Sequence, residues 1–471
     1  MSGLWRHLVL RTASVRVHSL AFAFCLALSA FLFGNSGAAL AQASTGQPQV
    51  GTGASSAPPL DPPIERPLPT GEGMLSVGQW LLSPTLDLYT LYNSNIQSSP
   101  TNDLKGSGFH YRPALLAELD TGIYDTRLYG NFDSTLYPTQ NELNTFNRQA
   151  GVSQTYAPLR DLIFTTHVDY THNTNANVVI TSIPTPVTSQ ATPAPEGAAG
   201  VVATQQTVVN PNDVYTATAN VYKEFNRAFL NLGSTIALTQ YEMAPTNSTS
   251  QNYYKETYNG QAGFWFSPIL YAFAGAIDTN TIPAVGQVSN SYLARSGIGS
   301  AQIGLFQGSV YYGQQGTAVD RGGGTAGGDI YGGTLSYFPT SVWHMSLSVD
   351  RLRNRSDITG STPGAGGLPG LALSATNVTS ASSTQVTTIA YKSDYTFSEQ
   401  TSAHVVVSDS RIAYLNMPMV DNSWLASAGI RHQVRNNLSL SLDYQYTRYI
   451  SEQPLTSFNR NLVTLGAHYK F

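Results

Sequence analysis

The chain has 471 residues, including 41 glycines and 27 tyrosines, and only 11% of its residues are charged. Ordinary soluble domains carry roughly 25% charged residues, so this composition disfavours a typical soluble surface. The net charge of −4 gives no support to nucleic-acid binding, which usually requires a strongly basic patch. Mean hydropathy is near neutral at −0.13. Low charge, many aromatic residues and no long apolar run beyond the N-terminus are typical of a transmembrane β-barrel.

Residues 1–41 are predicted to be an export signal peptide. Three arginines precede an apolar run from Leu20 to Phe33, and Ala39-Leu40-Ala41 provides a small-x-small cleavage site before Gln42. A membrane anchor is the alternative, but the apolar run is short for a spanning helix. Cleavage would remove Cys25, the one cysteine, and leave 21 basic against 28 acidic residues, a net charge of −7 by count.

Residues 42–76 are rich in Ala, Ser, Gly and Pro and are predicted to form a disordered periplasmic tether. Such a composition cannot bury enough apolar surface to fold alone. A Pro-rich segment that binds a partner is the alternative interpretation.

Beyond the tether the dominant period is two, which predicts an all-β protein. Leu438, Leu440, Leu442, Tyr444 and Tyr446 alternate with polar residues, and similar segments of ten to fourteen residues recur to the C-terminus. Strands in soluble proteins average about five or six residues, whereas a tilted membrane-spanning strand needs about nine to eleven. We therefore predict a transmembrane antiparallel up-and-down β-barrel over residues 77–471, with about eighteen strands. Sixteen strands remain an option because several boundaries are soft.

The connections between the predicted strands alternate in length. Short turns, such as Asn226-Arg227 and Arg435-Asn436, alternate with longer segments, the longest being 174–212 and 354–383. Short periplasmic turns and long external loops are the topology of outer-membrane barrels in Gram-negative bacteria. This pattern predicts an outer-membrane location with both termini in the periplasm.

The last predicted strand ends in Tyr469 and Phe471 on one face. A terminal aromatic strand resembles the signal that the outer-membrane assembly machinery reads, so that machinery is an expected partner. Outer-membrane lipids and lipopolysaccharide are the other expected partners, and polysaccharide is a further candidate.

Strand alternation assigns side chains to two faces. Aromatic residues expected at the membrane interfaces form a girdle, comprising Trp265, Trp343, Trp424, Tyr449, Tyr469 and Phe471. Core packing in a soluble protein is the alternative role for them. Charged residues on the opposite face are expected to line the lumen, and many of them would pair with each other: Arg112, Glu118, Asp120, Arg127, Asp133, Asp169, Glu224, Lys255, Asp278, Asp350, Lys392, Asp394, Arg431, Asp443 and Arg460.

No catalytic motif is found. The sequence has neither a G-x-S-x-G elbow nor an H-E-x-x-H zinc motif. His167 and His172 are five residues apart and should lie on opposite faces of one strand, so they are not expected to share a metal. We therefore expect no catalytic residue, no metal site and no cofactor.

Short motifs resemble the outer-membrane β-barrel porins of proteobacteria sometimes grouped as porin-2. Leu91-Tyr92-Asn93-Ser94-Asn95-Ile96 is similar to the stretch that closes the first strand in that family. Pro113-Ala114-Leu115, Tyr129-Gly130-Asn131-Phe132 and Tyr156-Ala157-Pro158-Leu159-Arg160 are similar to later segments. The resemblance implies a channel for hydrophilic solutes and, in some members, a link to exopolysaccharide export. The alternative is a structural or adhesive barrel that acts through its external loops and has no open pore.

Overall fold

The computed structural model describes most of the predicted barrel. The described ranges are 75–96, 104–174, 176–181, 204–209, 211–242, 252–284, 288–319, 323–356, 382–415, 418–452 and 457–471. The predicted signal peptide and nearly all of the predicted tether lie outside these ranges, as does most of 354–383.

Long antiparallel strands make up almost all of the described structure. A short first strand, β1, covers Leu75–Val77 and forms a hairpin with β2. The next five strands are β2 (Trp80–Asn93), β3 (Gly106–Asp120), β4 (Tyr124–Leu136), β5 (Thr145–Leu159) and β6 (Leu162–Asn173). A separate two-stranded ladder joins β7 (Ala176–Thr181) to β8 (Thr204–Val209). Thirteen more strands follow: β9 (Asn212–Phe225), β10 (Ala228–Tyr241), β11 (Tyr253–Ser267), β12 (Leu270–Pro283), β13 (Ser289–Ile303), β14 (Phe306–Val319), β15 (Gly323–Thr340), β16 (Trp343–Ser356), β17 (Ser382–Ser398), β18 (Thr401–Tyr414), β19 (Met419–Arg435), β20 (Leu438–Ile450) and β21 (Phe458–Lys470).

Eighteen of these strands close into a ring. Each of β2–β6 and β9–β21 pairs with its neighbour along the chain, β6 pairs with β9, and β21 pairs with β2. The closing ladder runs from Thr85 opposite Lys470 to Asn93 opposite Leu462. Closure leaves no barrel strand with an unpaired edge, which is the condition for a sheet that faces lipid. The predicted eighteen-stranded antiparallel barrel is confirmed.

The strands are long enough to cross a bilayer. The eighteen ring strands contain from 12 residues in β6 to 18 in β15. At about 3.3 Å per residue and a tilt of roughly 35–45°, even the shortest spans the 25 Å apolar band of an outer-membrane barrel. Among the described residues, no helix is long and apolar enough to cross a membrane.

Tight turns lie at the end of the barrel that holds the first and last strands. Eight connections between ring strands there have two or three residues, as between β9 and β10 or β19 and β20. Backbone with positive φ forms several of them: Gly122 (81°), Asn226 (56°) and Gly304 (62°). A residue with a β-carbon is strained in this region of φ, so glycine and asparagine are the residues expected there.

The opposite end carries the longer connections. Between β6 and β9 the structure describes the β7–β8 ladder, and β16 and β17 are separated by residues 357–381. A one-turn 3₁₀ helix, Asn141–Leu143, connects β4 to β5. The alternation of short and long connections predicted from sequence is present in the fold, except that β14 and β15 are joined at this end by only three residues, 320–322.

Candidate pore lining

The two faces of the barrel differ in chemistry. Cross-strand partners share a face, so the register of the ladders assigns every strand residue to one side. One face carries large exposed apolar side chains around the whole ring, among them Leu115, Phe132, Val310, Phe397 and Leu442. The other face carries polar and charged side chains that are buried by their neighbours, including Glu118, Arg295, Asp443, Gln445 and Thr447. Side chains crowd on the concave wall of a cylinder, so we assign the polar, buried face to the inside.

The structure places fourteen of the fifteen predicted lumen residues on this inward face. The register places Glu118 opposite Arg127. Arg112 lies opposite Asp87 on β2, the strand at which the ring closes. Asp278 differs because it lies opposite Tyr258 and Tyr292, both of which are exposed on the outward face. The residues that follow it on β12, Thr279 to Thr281, are all polar, so no local alternation of apolar and polar residues marks its face.

Four of the six predicted girdle aromatics point outward. Trp343, Trp424, Tyr469 and Phe471 all lie on the exposed apolar face, where the rings of Tyr469 and Phe471 meet at 4.8 Å between centroids.

Trp265 and Tyr449 lie inside instead and do not contribute to an outward girdle. Trp265 packs against Tyr271, with 4.7 Å between ring centroids, and the Tyr449 hydroxyl donates a 2.6 Å hydrogen bond to Asp421. Residue type suggested a girdle, but parity along the strand decides the face. Tyr449 lies three residues from the outward Tyr446 and therefore has the opposite parity.

A group of polar side chains surrounds the junction between the first and last barrel strands, and we call it the seam cluster. Its members are Asp87, Tyr89, His110, Arg112, His404, Arg431, Asp443 and His468. Asp87 bonds to His468 across the junction, and His404 Nε2 lies 3.4 Å from Asp443 Oδ1. Arg431 donates to Ser439 Oγ from Nε and Nη2, at 3.0 and 2.9 Å. The cluster places both signs of charge and three imidazoles on one part of the inner wall.

Several of the inward charges neutralise one another. The Arg127 Nη2 atom lies 2.9 Å from both Glu118 Oε1 and Asp125 Oδ2. These three side chains are largely buried, so breaking the group would leave a charge poorly compensated. The Arg127 group therefore stabilises the wall.

Asp169 and Asp350 are each held by tyrosine. Tyr129 Oη and Gln149 Nε2 donate to Asp169 Oδ1 at 2.5 and 3.0 Å. On the opposite wall Tyr311 Oη donates to Asp350 Oδ1 at 2.8 Å, and the Arg295 guanidinium stacks 5.1 Å above the Tyr311 ring. Fixed acceptors and donors of this kind can exchange hydrogen bonds with a polar solute.

Inward tyrosines lie flat over glycines of the next strand. A β-carbon on Gly466 would come 2.3 Å from the Tyr89 ring, and one on Gly151 would come 2.4 Å from the Tyr129 hydroxyl. Glycine is needed at such positions because another backbone or ring approaches too closely for any side chain. These contacts fix the orientation of the lumen-facing tyrosines.

Sequence reasoning did not single out several inward residues, notably Asp87, His110, Arg295, Asp421 and His468. Counting alternate positions along the strand could have found some of them. Asp87, for example, lies between Leu86 and Leu88, so it faces the side opposite to theirs. Arg295 sits among Ala, Ser and Gly, where no apolar alternation marks the faces.

Comparisons with known proteins give distant structural similarity only. OpdK from Pseudomonas aeruginosa is 10% identical with a TM-score of 0.44, covering 83% of this chain and 99% of that one. A BenF-like porin from Pseudomonas fluorescens Pf-5 is 10% identical with a TM-score of 0.45, at 83% and 99% coverage. The P. aeruginosa ferric enterobactin receptor PfeA is 8% identical with a TM-score of 0.42, at 83% and 81% coverage.

No family model matches the chain, and no curated protein matches it. The resemblance to the porin-2 group therefore stays a prediction. At these identities and TM-scores the structural neighbours assign neither a family nor a function to this chain.

Proposed function

We propose that this protein is an outer-membrane channel for small hydrophilic solutes. The observation that carries the proposal is the closed eighteen-stranded ring with apolar side chains exposed outside and polar side chains inside. An exposed apolar belt is stable in lipid, and closure gives every ring strand a paired neighbour on both sides, so that no strand edge faces lipid unpaired. Barrels of sixteen to eighteen strands enclose an aqueous lumen unless other segments fill it.

The proposal puts both termini in the periplasm. The rim of the barrel where β2 begins and β21 finishes is also the rim that carries the two- and three-residue turns between ring strands. Outer-membrane barrels keep their short turns on the periplasmic side and their longer loops outside.

The inner wall suits neutral and weakly cationic solutes. On the described strands the inward acids outnumber the inward bases, and both signs occur in the seam cluster. Asp, Glu, Arg and Lys of mixed sign do not form a ring of one charge, which is what strong ion selectivity requires. We therefore expect a mild preference for cations. The exopolysaccharide link implied by the porin-2 resemblance has no support from the comparisons, and the proposal does not include it.

Planar-bilayer recording tests the channel. The full-length coding sequence would be expressed and the protein purified from membranes, with empty detergent as the blank. We expect steady openings whose conductance rises with salt concentration, and reversible reduction of the current by sugars that enter the lumen.

A folded, heat-modifiable barrel that never conducts would contradict the proposal. It would favour the alternative of a structural or adhesive barrel, whose work is done at the end with the longer connections.

A further inference from the structure

Three metal-ligating side chains meet at the rim of the barrel. His172 lies near the end of β6, Asp213 near the start of β9, and Glu242 directly after β10. These are three neighbouring strands of the ring, and all three residues lie at the end opposite the chain termini. His172 and Asp213 are on the outward face, which they share with the exposed Val168 and Tyr215. We call these three residues the rim cluster.

The ligand atoms of the rim cluster are spaced as a metal site requires. His172 Nδ1 lies 3.0 Å from Asp213 Oδ1 and 3.6 Å from Glu242 Oε1. All three ligand atoms lie within 4.8 Å of one another. A zinc ion bound about 2.0–2.2 Å from each ligand holds neighbouring ligand atoms roughly 3.0–3.6 Å apart. The side chains would need only small rotations to converge on one ion.

Neighbouring groups hold the ligands in place. Tyr170 Oη donates to Asp213 Oδ1 at 2.8 Å, and Arg148 Nη2 donates to Tyr170 Oη at 3.1 Å. The backbone N–H of Glu242 donates to the Pro211 carbonyl at 2.9 Å. Hydrogen bonds of this kind orient metal ligands and are a common feature of metal sites.

Access and burial also suit an ion. The His172 side chain is 12% exposed and that of Asp213 is 22% exposed, whereas Glu242 is 49% exposed. Two ligands are therefore largely buried in place, and the third is half exposed and leaves an entry path. A water molecule can complete the coordination.

We propose that His172, Asp213 and Glu242 bind a zinc ion. One imidazole nitrogen with two carboxylates suits zinc and related transition metals, whereas magnesium and calcium favour all-oxygen sites. The ordinary alternative is that His172 simply shares a hydrogen bond with Asp213. Bound zinc would cross-link β6, β9 and the end of β10. These strands border two of the longer connections, β6 to β9 and β10 to β11.

The test is calorimetric titration of Zn²⁺ into the full-length protein after chelator treatment, in detergent. We expect one tight site per chain, weakened more than about tenfold by His172→Ala and by Glu242→Gln. Co²⁺ should give the visible absorption of a low-coordinate site in the parent and not in His172→Ala. His344→Ala is the matched control, because His344 is also partly exposed beside a carboxylate but has no third ligand near it in the described structure.

The readouts separate this proposal from the proposed channel function. Zinc binding does not depend on conduction, and folding of each variant would be checked by heat-modifiability on gels. If His172→Ala does not fold, the Zn²⁺ affinity of Glu242→Gln is the deciding measurement. Glu242 follows the last residue of β10, so its substitution should not disturb the barrel. Absence of a tight site in the parent, or equal Zn²⁺ affinity in parent and folded Glu242→Gln, would overturn the proposal.

Discussion

Asp87 and His468 are 381 residues apart in the chain and hydrogen-bond across the junction where the last barrel strand meets the first. They are cross-strand partners in the closing ladder, and Asp87 also lies opposite Arg112 on the other side of β2. The first and last strands of the ring, β2 and β21, are thus joined by side chains as well as by backbone.

His468→Ala should weaken this junction. Loss of a partly buried hydrogen bond to a charged group costs roughly 1.5–3 kcal/mol. Urea unfolding in detergent, followed by the loss of heat-modifiability, should therefore shift to lower urea. His432→Ala is the matched control, since His432 is exposed and bonds to Thr401 away from the junction. Equal shifts in the two variants would contradict a special role for the Asp87 contact.

Gly466→Val should strain the inner wall. Its β-carbon would lie 2.3 Å from two carbons of the Tyr89 ring, so either the ring or the strand must move. Overpacking of this kind typically costs about 1–3 kcal/mol. The double variant with Tyr89→Ala removes the obstructing ring and should recover part of that loss. A double-mutant cycle in urea measures the coupling, and additive effects would show that the clash is not the cause.

Arg112→Gln should increase the preference of the channel for cations. Removal of one inward positive charge leaves Asp87 less compensated, because Asp87 is the cross-strand partner of Arg112. We expect the cation-to-anion permeability ratio, measured from the reversal potential in a salt gradient, to rise by a factor of about two to five. Arg448→Gln is the control, since Arg448 lies opposite the outward Trp424. A change of similar size in the control would argue against the assignment of faces.

Tryptophan fluorescence should report the two faces directly. In variants that retain one tryptophan of the barrel, lipids with brominated chains should quench Trp424 and Trp343, which are exposed outward. Trp265 should be quenched much less because it packs inside against Tyr271. Quenching of Trp265 equal to that of Trp424 would reverse our assignment of inside and outside.

Asp161 should make stability depend on pH. It lies in the turn between β5 and β6, and a hydrogen bond from Lys223 holds the pKa of its carboxyl below the ordinary value of 3.8. A carboxyl with a lowered pKa in the folded state adds stability above its unfolded pKa, and the contribution disappears as the pH falls through the folded pKa. Asp161→Asn should therefore show a slightly shallower decrease in the urea midpoint between about pH 5 and pH 3. Identical slopes would mean that the contact with Lys223 is too exposed to matter.

The strand count and the order of turns could be predicted because period two and strand length are local properties of the sequence. From Leu438 to Tyr446 apolar and polar residues alternate so regularly that the apolar and polar faces of this strand can be read from its sequence alone. The faces of Trp265 and Tyr449 were harder, since residue type suggested a membrane interface while parity places both inside. Parity can be counted only after the strand and its bulges are known.

Contacts between distant strands could not be predicted. The Asp87–His468 pair and the rim cluster each join residues on separate strands, and no local pattern links His172 to Asp213 or Glu242. The sequence analysis expected no metal ligands because no zinc motif is present and because His167 and His172 were predicted, correctly, to lie on opposite faces. The strands β1, β7 and β8 were also missed, because they lie outside the ring and have no two-sided environment to impose alternation.

The pairing of β2 with β21 also sets the timing of folding. The ring partner of β2 on its other side is β21, the last ring strand in chain order, so the ring cannot close until β21 has been synthesised. Contacts between the chain's ends bring a large loop-closure entropy and slow folding. Until then two open edges expose unpaired backbone that can join other chains. A newly made chain must therefore be kept apart from its copies until the thirteen residues of β21 reach β2.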